Sequence, residues 1–146
     1  MNEPDPGWIA VDRFIAEHLL ADDPAAALNA NAAAGLPEID VSPPQGKMLH
    51  LFARMARARR ILEVGTLGGY STIWLARALP EDGVVVTLEL EPHHAAVARA
   101  NVDAAGVGAL VDIRVGSALA TLDAMVAAGE GPFDLVFIDA DKVNNA

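Results

Sequence analysis

The sequence contains no cysteine in its 146 residues, which excludes disulfides and thiolate metal sites. Basic residues are also scarce: 10 Lys and Arg stand against 20 Asp and Glu, for a net charge of −10. Such a charge opposes binding to nucleic acid or to an anionic membrane surface. No apolar run approaches the about 20 residues needed to cross a bilayer, and the acidic, proline-bearing start at residues 1–6 is unlike a signal peptide. We therefore expect a cytoplasmic protein with neither a nucleic-acid nor a membrane partner.

The pattern of the chain changes near residue 60. Residues 1–40 are predicted to form N-terminal helices, and another helix follows before residue 60. Beyond it, short apolar strands alternate with helices, and we predict strands at about 60–64, 84–88, 110–115 and 133–138. This alternation predicts an α/β fold, a Rossmann-like doubly wound parallel sheet over residues 41–146. The fourth strand would form an apolar edge, which sheets rarely tolerate, so we expect a domain truncated after strand four.

The segment at residues 61–71, Ile-Leu-Glu-Val-Gly-Thr-Leu-Gly-Gly-Tyr-Ser, joins an apolar strand to a helix through a glycine-rich turn. This arrangement is typical of a nucleotide-binding crevice. A dinucleotide fingerprint aligned on Gly65 and Gly68 would need a glycine at position 63, where this chain has Glu63. We expect that carboxylate, at the mouth of the strand, to repel a pyrophosphate and to favour a cationic cofactor. S-adenosylmethionine carries an ammonium and a sulfonium and no phosphate.

Other residues at the predicted strand ends could also bind a ligand. Glu89 ends the second strand, where an acid commonly binds ribose hydroxyls; the alternative is a solvent-facing acid that caps the helix at Pro92. Ser71 could offer its hydroxyl and backbone N–H to a ligand carboxylate, or satisfy its own helix. The small residues at 116–118 would let the backbone approach a flat base, although an ordinary strand-to-helix turn explains them equally well.

The fourth strand is followed by Asp139-Ala140-Asp141-Lys142. Two carboxylates at this spacing can present oxygens to Mg²⁺, and a lysine of lowered pKa could act as a base. A strand-end turn with a helix-capping aspartate is the alternative. We favour the site because the glycine-rich turn leads to the same crevice.

Taken together, these segments resemble the N-terminal portion of the cation-dependent class I O-methyltransferases that use S-adenosylmethionine, the family of caffeoyl-CoA and catechol O-methyltransferases. The resemblance runs from about residue 41 to residue 145. It rests on residues 61–71, the Pro-Glu-Asp-Gly turn at 80–83, Glu89 ahead of Pro92, and residues 133–142.

The resemblance implies a role for each matching residue. The residues that would hold S-adenosylmethionine are Val41, Gly65 and Thr66 at its methionine part, Glu63 and Ser71 at its polar groups, Glu89 at the ribose and Ala118 at the adenine, together with Asp139. Asp139 would also ligate a divalent cation such as Mg²⁺, and Lys142 would be the base. The helices before residue 40 would cover the site and help to form a homodimer. The family completes its metal site with an Asp-Asn pair after a later strand, and these 146 residues contain no counterpart; one carboxylate plus waters would hold Mg²⁺ weakly.

The implied reaction is cation-assisted methyl transfer to a hydroxyl of a catechol-like or hydroxycinnamoyl-type small molecule. Two other hypotheses stay open at this point. The missing strands could instead indicate a catalytically silent cofactor-binding or dimerisation module. A nicotinamide-dependent dehydrogenase would share the fold, but Glu63 and the lack of a Tyr-x-x-x-Lys pair disfavour it, since Tyr70 is the only tyrosine.

Overall fold

The computed structural model describes residues 6–140. The helices are α1 (Pro6–Leu19), α2 (Ala25–Ala33), α3 (Pro43–Met55), α4 (Tyr70–Ala76), α5 (Pro92–Ala104) and α6 (Ala118–Ala127). The strands are β1 (Arg60–Val64), β2 (Val84–Glu89), β3 (Val111–Val115) and β4 (Leu135–Ile138). A short 3₁₀ turn, Gly108–Leu110, precedes β3. None of the helices in this described part of the chain is both long enough and apolar enough to span a membrane.

The four strands form one parallel sheet in the order β3-β2-β1-β4. In the register of the sheet, Leu62 of β1 pairs with Val86 of β2 and with Val136 of β4. The chain therefore winds outward in both directions from β1, because a parallel neighbour on each side requires a crossover on each side. The predicted Rossmann-like doubly wound sheet is confirmed.

Both faces of the sheet carry an apolar layer, because successive side chains of a strand point to opposite faces. The layer shared with α3, α4 and α5 includes the buried residues Ala53, Ile61, Ile73, Trp74, Val85 and Val102. The opposite layer, shared with α6, includes Leu62, Val64, Val86, Leu88 and Met125. Helix α2 joins the first layer through Ala27, so the N-terminal helices lie on the same side of the sheet as α3 to α5.

Most observed boundaries agree with the predicted ones to within two or three residues. Strand β4 begins at Leu135, two residues later than predicted. The side chain of Asp134 explains this, because its Oδ2 accepts hydrogen bonds from the backbone N–H groups of Arg59 and Arg60 at 2.8 and 2.9 Å. These two bonds replace part of a backbone ladder at the start of the strand, and they lower the pKa of the Asp134 carboxyl.

Candidate active site

All four strands are parallel, so their carboxyl ends lie along one edge of the sheet. The connections that leave this edge are residues 65–69 after β1, 90–91 after β2, 116–117 after β3 and 139–140 after β4. Ligands of open α/β sheets bind outside this edge, where the winding direction reverses. The glycine-rich turn, Glu89, Gly116 and Asp139 therefore lie along one edge of the sheet, as the sequence predicts.

The glycine-rich loop, residues 65–69, needs backbone angles that few residues adopt. Gly65, Leu67 and Gly69 have φ values of 99, 49 and 83°. A Cβ atom on Gly65 would lie 2.3 Å from the backbone carbonyl oxygen of Asp139. Glycine at position 65 thus provides both the left-handed backbone and the room in which β4 leaves the sheet.

Glu63 lies one residue before the end of β1, and its carboxylate, expected at the mouth of the strand, is buried. Its side chain has no solvent-exposed area. Oε1 accepts a hydrogen bond from Ser71 Oγ at 2.7 Å, and Oε2 accepts from Thr72 Oγ1 at 2.6 Å and Thr87 Oγ1 at 2.7 Å. The physical reason is the alternation along β1, which places position 63 on the same face as Ile61, where α4 covers the sheet. Burial raises the pKa of the Glu63 carboxyl, and the three hydroxyls partly oppose that rise.

This buried polar cluster contains residues that the sequence prediction missed. Thr87 is paired directly with Glu63 in the β1–β2 register, and its hydroxyl lies 2.6 Å from that of Thr66. Thr72 approaches from α4. A threonine inside the otherwise apolar run of β2 was the available signal, because a buried polar side chain needs a buried partner.

Ser71 lies at the expected edge of the sheet, but its hydroxyl bonds to β1 and not to its own helix. It lies in the first turn of α4, at the carboxyl edge of the sheet, and it is buried. Its hydroxyl donates to Glu63 and makes no cap bond to its own helix, so the predicted self-capping role is not observed. While this bond holds, the Ser71 proton is not available to a ligand carboxylate, whereas the oxygen lone pairs are.

Glu89 holds the glycine-rich loop from the second strand. Oε2 accepts hydrogen bonds from the backbone N–H groups of Thr66 at 3.1 Å and Leu67 at 2.8 Å. Oε1 accepts from the N–H of Glu91 at 3.0 Å and lies 3.4 Å from His94 Nδ1. The bond to Glu91, the N-cap residue of α5, matches the capping alternative, and the bonds to the loop were not predicted. The carboxylate is thus fixed at the crevice edge.

Val41 and Ala118 lie on opposite sides of the sheet. Val41 packs against the layer of α3 to α5 and lines a cavity of about 330 Å³ between α2 and residues 36–43. Ala118, the first residue of α6, packs against the other layer. Near it, a Cβ atom added to Gly116 would meet nothing within 4 Å, so the end of β3 leaves open space for a flat ring.

Asp139 is exposed at the end of β4, where its backbone N–H donates to the carbonyl of Val64 at 2.9 Å. Between residues 6 and 140, the structure contains no group of three or more Asp, Glu or His side chains that could hold a metal ion. The described residues therefore do not complete a cation site around Asp139. Asp141 and Lys142 lie outside the described residues.

The residues present fit S-adenosylmethionine. Two carboxylates, Glu89 and Asp139, lie at the crevice edge on either side of the loop, and carboxylates suit both ribose hydroxyls and a cationic ligand. The open space at Gly116 would admit a base. A parallel sheet with a glycine-rich loop and strand-end acids on one edge defines a Rossmann-like fold of the class I methyltransferase type.

Comparison with known proteins gives the family. The sequence profile of a family described as O-methyltransferase matches residues 22–146. A catechol O-methyltransferase of Niastella koreensis is 54% identical over 135 residues, which cover 91% of this chain and 61% of the relative. A catechol O-methyltransferase of Mycobacterium tuberculosis is 56% identical over 146 residues, which cover 99% of this chain and 63% of the relative.

A solved structure agrees with these relatives. The O-methyltransferase from Bacillus cereus in complex with SAH superposes with a TM-score of 0.89 at 49% identity, covering 93% of this chain and 63% of that one. This chain belongs to the O-methyltransferase family. It spans a little over three fifths of the length of the relatives that it matches.

Proposed function

We propose that this protein transfers a methyl group from S-adenosylmethionine to a hydroxyl of a small aromatic molecule. The observation that carries the proposal is the placement of Glu89 beside the glycine-rich loop, at the carboxyl edge of a sheet in a chain of this family. Two relatives named catechol O-methyltransferase and a relative solved in complex with SAH support it.

The residues of the crevice would divide the donor between them. Glu89 would accept hydrogen bonds from the ribose hydroxyls, either in addition to its bonds with the loop or as a replacement for them. The backbone of Gly65 and Thr66, together with Val41, would contact the methionine part, and Ala118 would lie against the adenine. Ser71 would meet the polar end of the methionine part.

Glu63 would act on the donor only indirectly. Glu63 accepts a hydrogen bond from the Ser71 hydroxyl. The Ser71 oxygen can therefore only accept a hydrogen bond from a ligand. An acceptor there would suit an ammonium group. We propose Glu63 as a positioning residue beneath Ser71, in place of the direct contact that its sequence position suggests.

The bound donor would supply a methyl group made electrophilic by a positively charged sulfur. The acceptor oxygen would form the new bond to the methyl carbon as the sulfur–carbon bond breaks, leaving the sulfur as a neutral thioether. Lys142 would take the hydroxyl proton. The chain would contribute mainly alignment, which can supply roughly 7–11 kcal/mol in favourable cases.

The finer proposal concerns the cation and the acceptor. Asp139 would be one ligand of a divalent cation, and the acceptor would be catechol-like or hydroxycinnamoyl-type, in keeping with the named relatives. The described residues do not complete such a site. Turnover of catechol that persists in excess EDTA would refute the cation proposal alone.

Calorimetric titration with S-adenosylhomocysteine (SAH), together with a methylation assay on catechol, tests the main proposal. We expect SAH to bind, and we expect Glu89→Gln to weaken binding at least about tenfold, since bonds to a charged acceptor contribute about 1.5–3 kcal/mol each. Glu81→Gln is the matched control, because Glu81 is exposed in the turn before β2, far from the carboxyl edge.

The same titrations separate the other hypotheses. SAH binding without methylation by the full-length protein would favour a silent module. NADH binding tighter than SAH binding would favour a dehydrogenase. Absence of SAH binding would refute the main proposal.

We also propose a homodimer formed through the N-terminal helices, in a protein of the cytoplasm. Helices α1 and α3 expose large apolar side chains, among them Trp8, Phe14, Leu51 and Met55, and exposed apolar surface favours association. Sedimentation equilibrium should give twice the monomer mass, and Phe14→Glu should shift the protein to monomer. A monomeric wild-type protein at micromolar concentration would refute the dimer.

A further inference from the structure

Three side chains from separate segments form a hydrogen-bonded line to the glycine-rich loop. Asn31 Nδ2 of α2 donates to Asp40 Oδ1 at 3.0 Å. Asn101 Nδ2 of α5 donates to Asn31 Oδ1 at 2.9 Å and to the backbone carbonyl of Gly68 at 2.8 Å. We call Asn31 and Asn101 the amide relay. It connects the segment that carries Asp40 to the loop.

The hydrogen bonds of the amide relay fix the orientation of both side-chain amides. Both hydrogens of Asn101 Nδ2 are used, one by Asn31 and one by Gly68, and Asn31 uses its oxygen toward Asn101 and its nitrogen toward Asp40. A flip of either amide would set like groups against each other. Asn31 is 2% exposed and Asn101 8% exposed, so water cannot readily replace the lost partners.

The loop also packs directly on the amide relay. A Cβ atom added to Gly68 would lie 1.8 Å from Asn31 Oδ1 and 2.2 Å from Asn31 Cγ. A Cβ atom on Gly69 would lie 3.3 Å from that of Ala98, which is one turn before Asn101 on α5. Gly68 and Gly69 of the loop therefore contact α2 and α5, whereas Glu89 holds Thr66 and Leu67.

Val41 is next to Asp40 and packs against the layer of α3 to α5. Residues 36–42 form no strand and lie between α2 and α3. The Asp40 carboxyl is half-buried, and burial raises its pKa. Its bond to Asn31 ties this segment to the loop.

We infer that Asn31 and Asn101 are positioning residues that align the Val41 segment with the glycine-rich loop, so that both reach S-adenosylmethionine together. The inference rests on the proposed function. Because the loop and the segment would contact the same part of the donor, a change in their relative position should lower the affinity for it.

An exchange of the side-chain types at Asn31 and Asp40 tests whether their hydrogen bond matters for binding of the donor. Asn31→Asp keeps the acceptor for Asn101 but sets a carboxylate against Asp40, and we expect the SAH dissociation constant to rise at least about tenfold. The double variant Asn31→Asp/Asp40→Asn restores a donor opposite an acceptor, and its net charge equals that of the wild type. We expect its affinity to return to within about threefold of the wild type. Asn29→Asp, on an exposed position of the same helix, is the matched control.

Asp40 provides a second test that leaves the contact between Asn31 and the loop in place. Asp40→Ala removes the acceptor for Asn31, and we expect about a three- to tenfold loss of SAH affinity. Asp40→Asn keeps an acceptor while it removes the charge, so its affinity should stay near that of the wild type. This pair remains informative if Asn31→Asp fails to fold.

The outcomes separate a positioning role from a purely structural one. If Asn31→Asp lowers the melting temperature but leaves SAH affinity unchanged, or if the double variant binds as weakly as the single one, the inference is wrong. Equal affinities for Asp40→Ala and Asp40→Asn would also overturn it. A wild-type protein that does not bind SAH would refute the proposed function itself, which is a different result.

Discussion

The contact between Gly68 and Asn31 gives a sharp prediction about stability. Gly68→Ala would place a methyl group 1.8 Å from Asn31 Oδ1, and the three nearest atoms to it all belong to Asn31. Gly68 is not among the positive-φ glycines, so backbone strain adds little. The substitution should act almost entirely by displacing one buried amide.

The structure sets the size of the effect. Displacing Asn31 breaks its bonds to Asp40 and Asn101, at about 1 kcal/mol each, and leaves buried polar groups unpaired at about 1–3 kcal/mol. We expect a loss of about 3–5 kcal/mol in the free energy of unfolding. Gly35→Ala is the control for backbone strain alone, because Gly35 has φ +74° and open space around its Cβ position; it should cost about 1–2 kcal/mol.

Urea unfolding followed by circular dichroism measures these losses. The decisive comparison repeats Gly68→Ala in an Asn31→Ala background, where the clashing atoms are gone. There the substitution should cost less than about 1 kcal/mol, so that the double-mutant cycle shows a coupling of about 2–4 kcal/mol. A cost of Gly68→Ala that is the same in both backgrounds would show that the added methyl group does not act by displacing Asn31.

Three further predictions concern buried groups elsewhere. Because burial raises the pKa of Glu63 above its ordinary value of 4.5, its contribution to stability is complete below that pH and is lost as pH rises through the raised pKa. The stability of Glu63→Gln relative to the wild type should therefore increase as the pH is raised above 4.5 in parallel melting curves. Tyr70→Phe removes a 2.5 Å bond from the phenol to Asp23 Oδ1 and should cost about 1.5–3 kcal/mol in urea unfolding. Gly46→Ala places a Cβ 2.3 Å from the indole of Trp74 and should cost about 1–3 kcal/mol, with a change in the near-ultraviolet circular dichroism of that ring.

Each of these predictions has a contradicting result. A stability difference between Glu63→Gln and the wild type that does not change with pH would mean that burial does not perturb this carboxyl. Unchanged stability of Tyr70→Phe would mean that its phenol bond contributes nothing net. An unaltered Trp74 signal in a folded Gly46→Ala variant would mean that the ring does not contact position 46.

Much of the fold followed from local patterns. Continuous apolar strands separated by helices indicate a parallel sheet covered on both faces, because only such a sheet buries both sides of each strand. Since parallel strands end at one edge, the sequence also predicted that the glycine-rich turn, Glu89 and Asp139 meet there. Gly65 could be recognised in the same way, because the turn requires a left-handed residue.

The surroundings of individual acids did not follow from the sequence. Glu63 was expected at the mouth of the crevice, yet it is buried against Ser71, Thr72 and Thr87. Which face of β1 a residue occupies, and which helix covers that face, depends on register and packing. The two bonds from Glu89 to the loop depend likewise on how closely β2 approaches β1.

The positions of the strands, the turns between them and the residues at the sheet edge could be predicted from the sequence, since they depend on near neighbours in the chain. Which polar groups become hydrogen-bond partners depends instead on how the helices pack on the sheet. Asn31 and Asn101 are separated by 70 residues, and no periodicity relates them. Their pairing exists because α2 and α5 pack on the same face of the sheet and exclude water from between two amides.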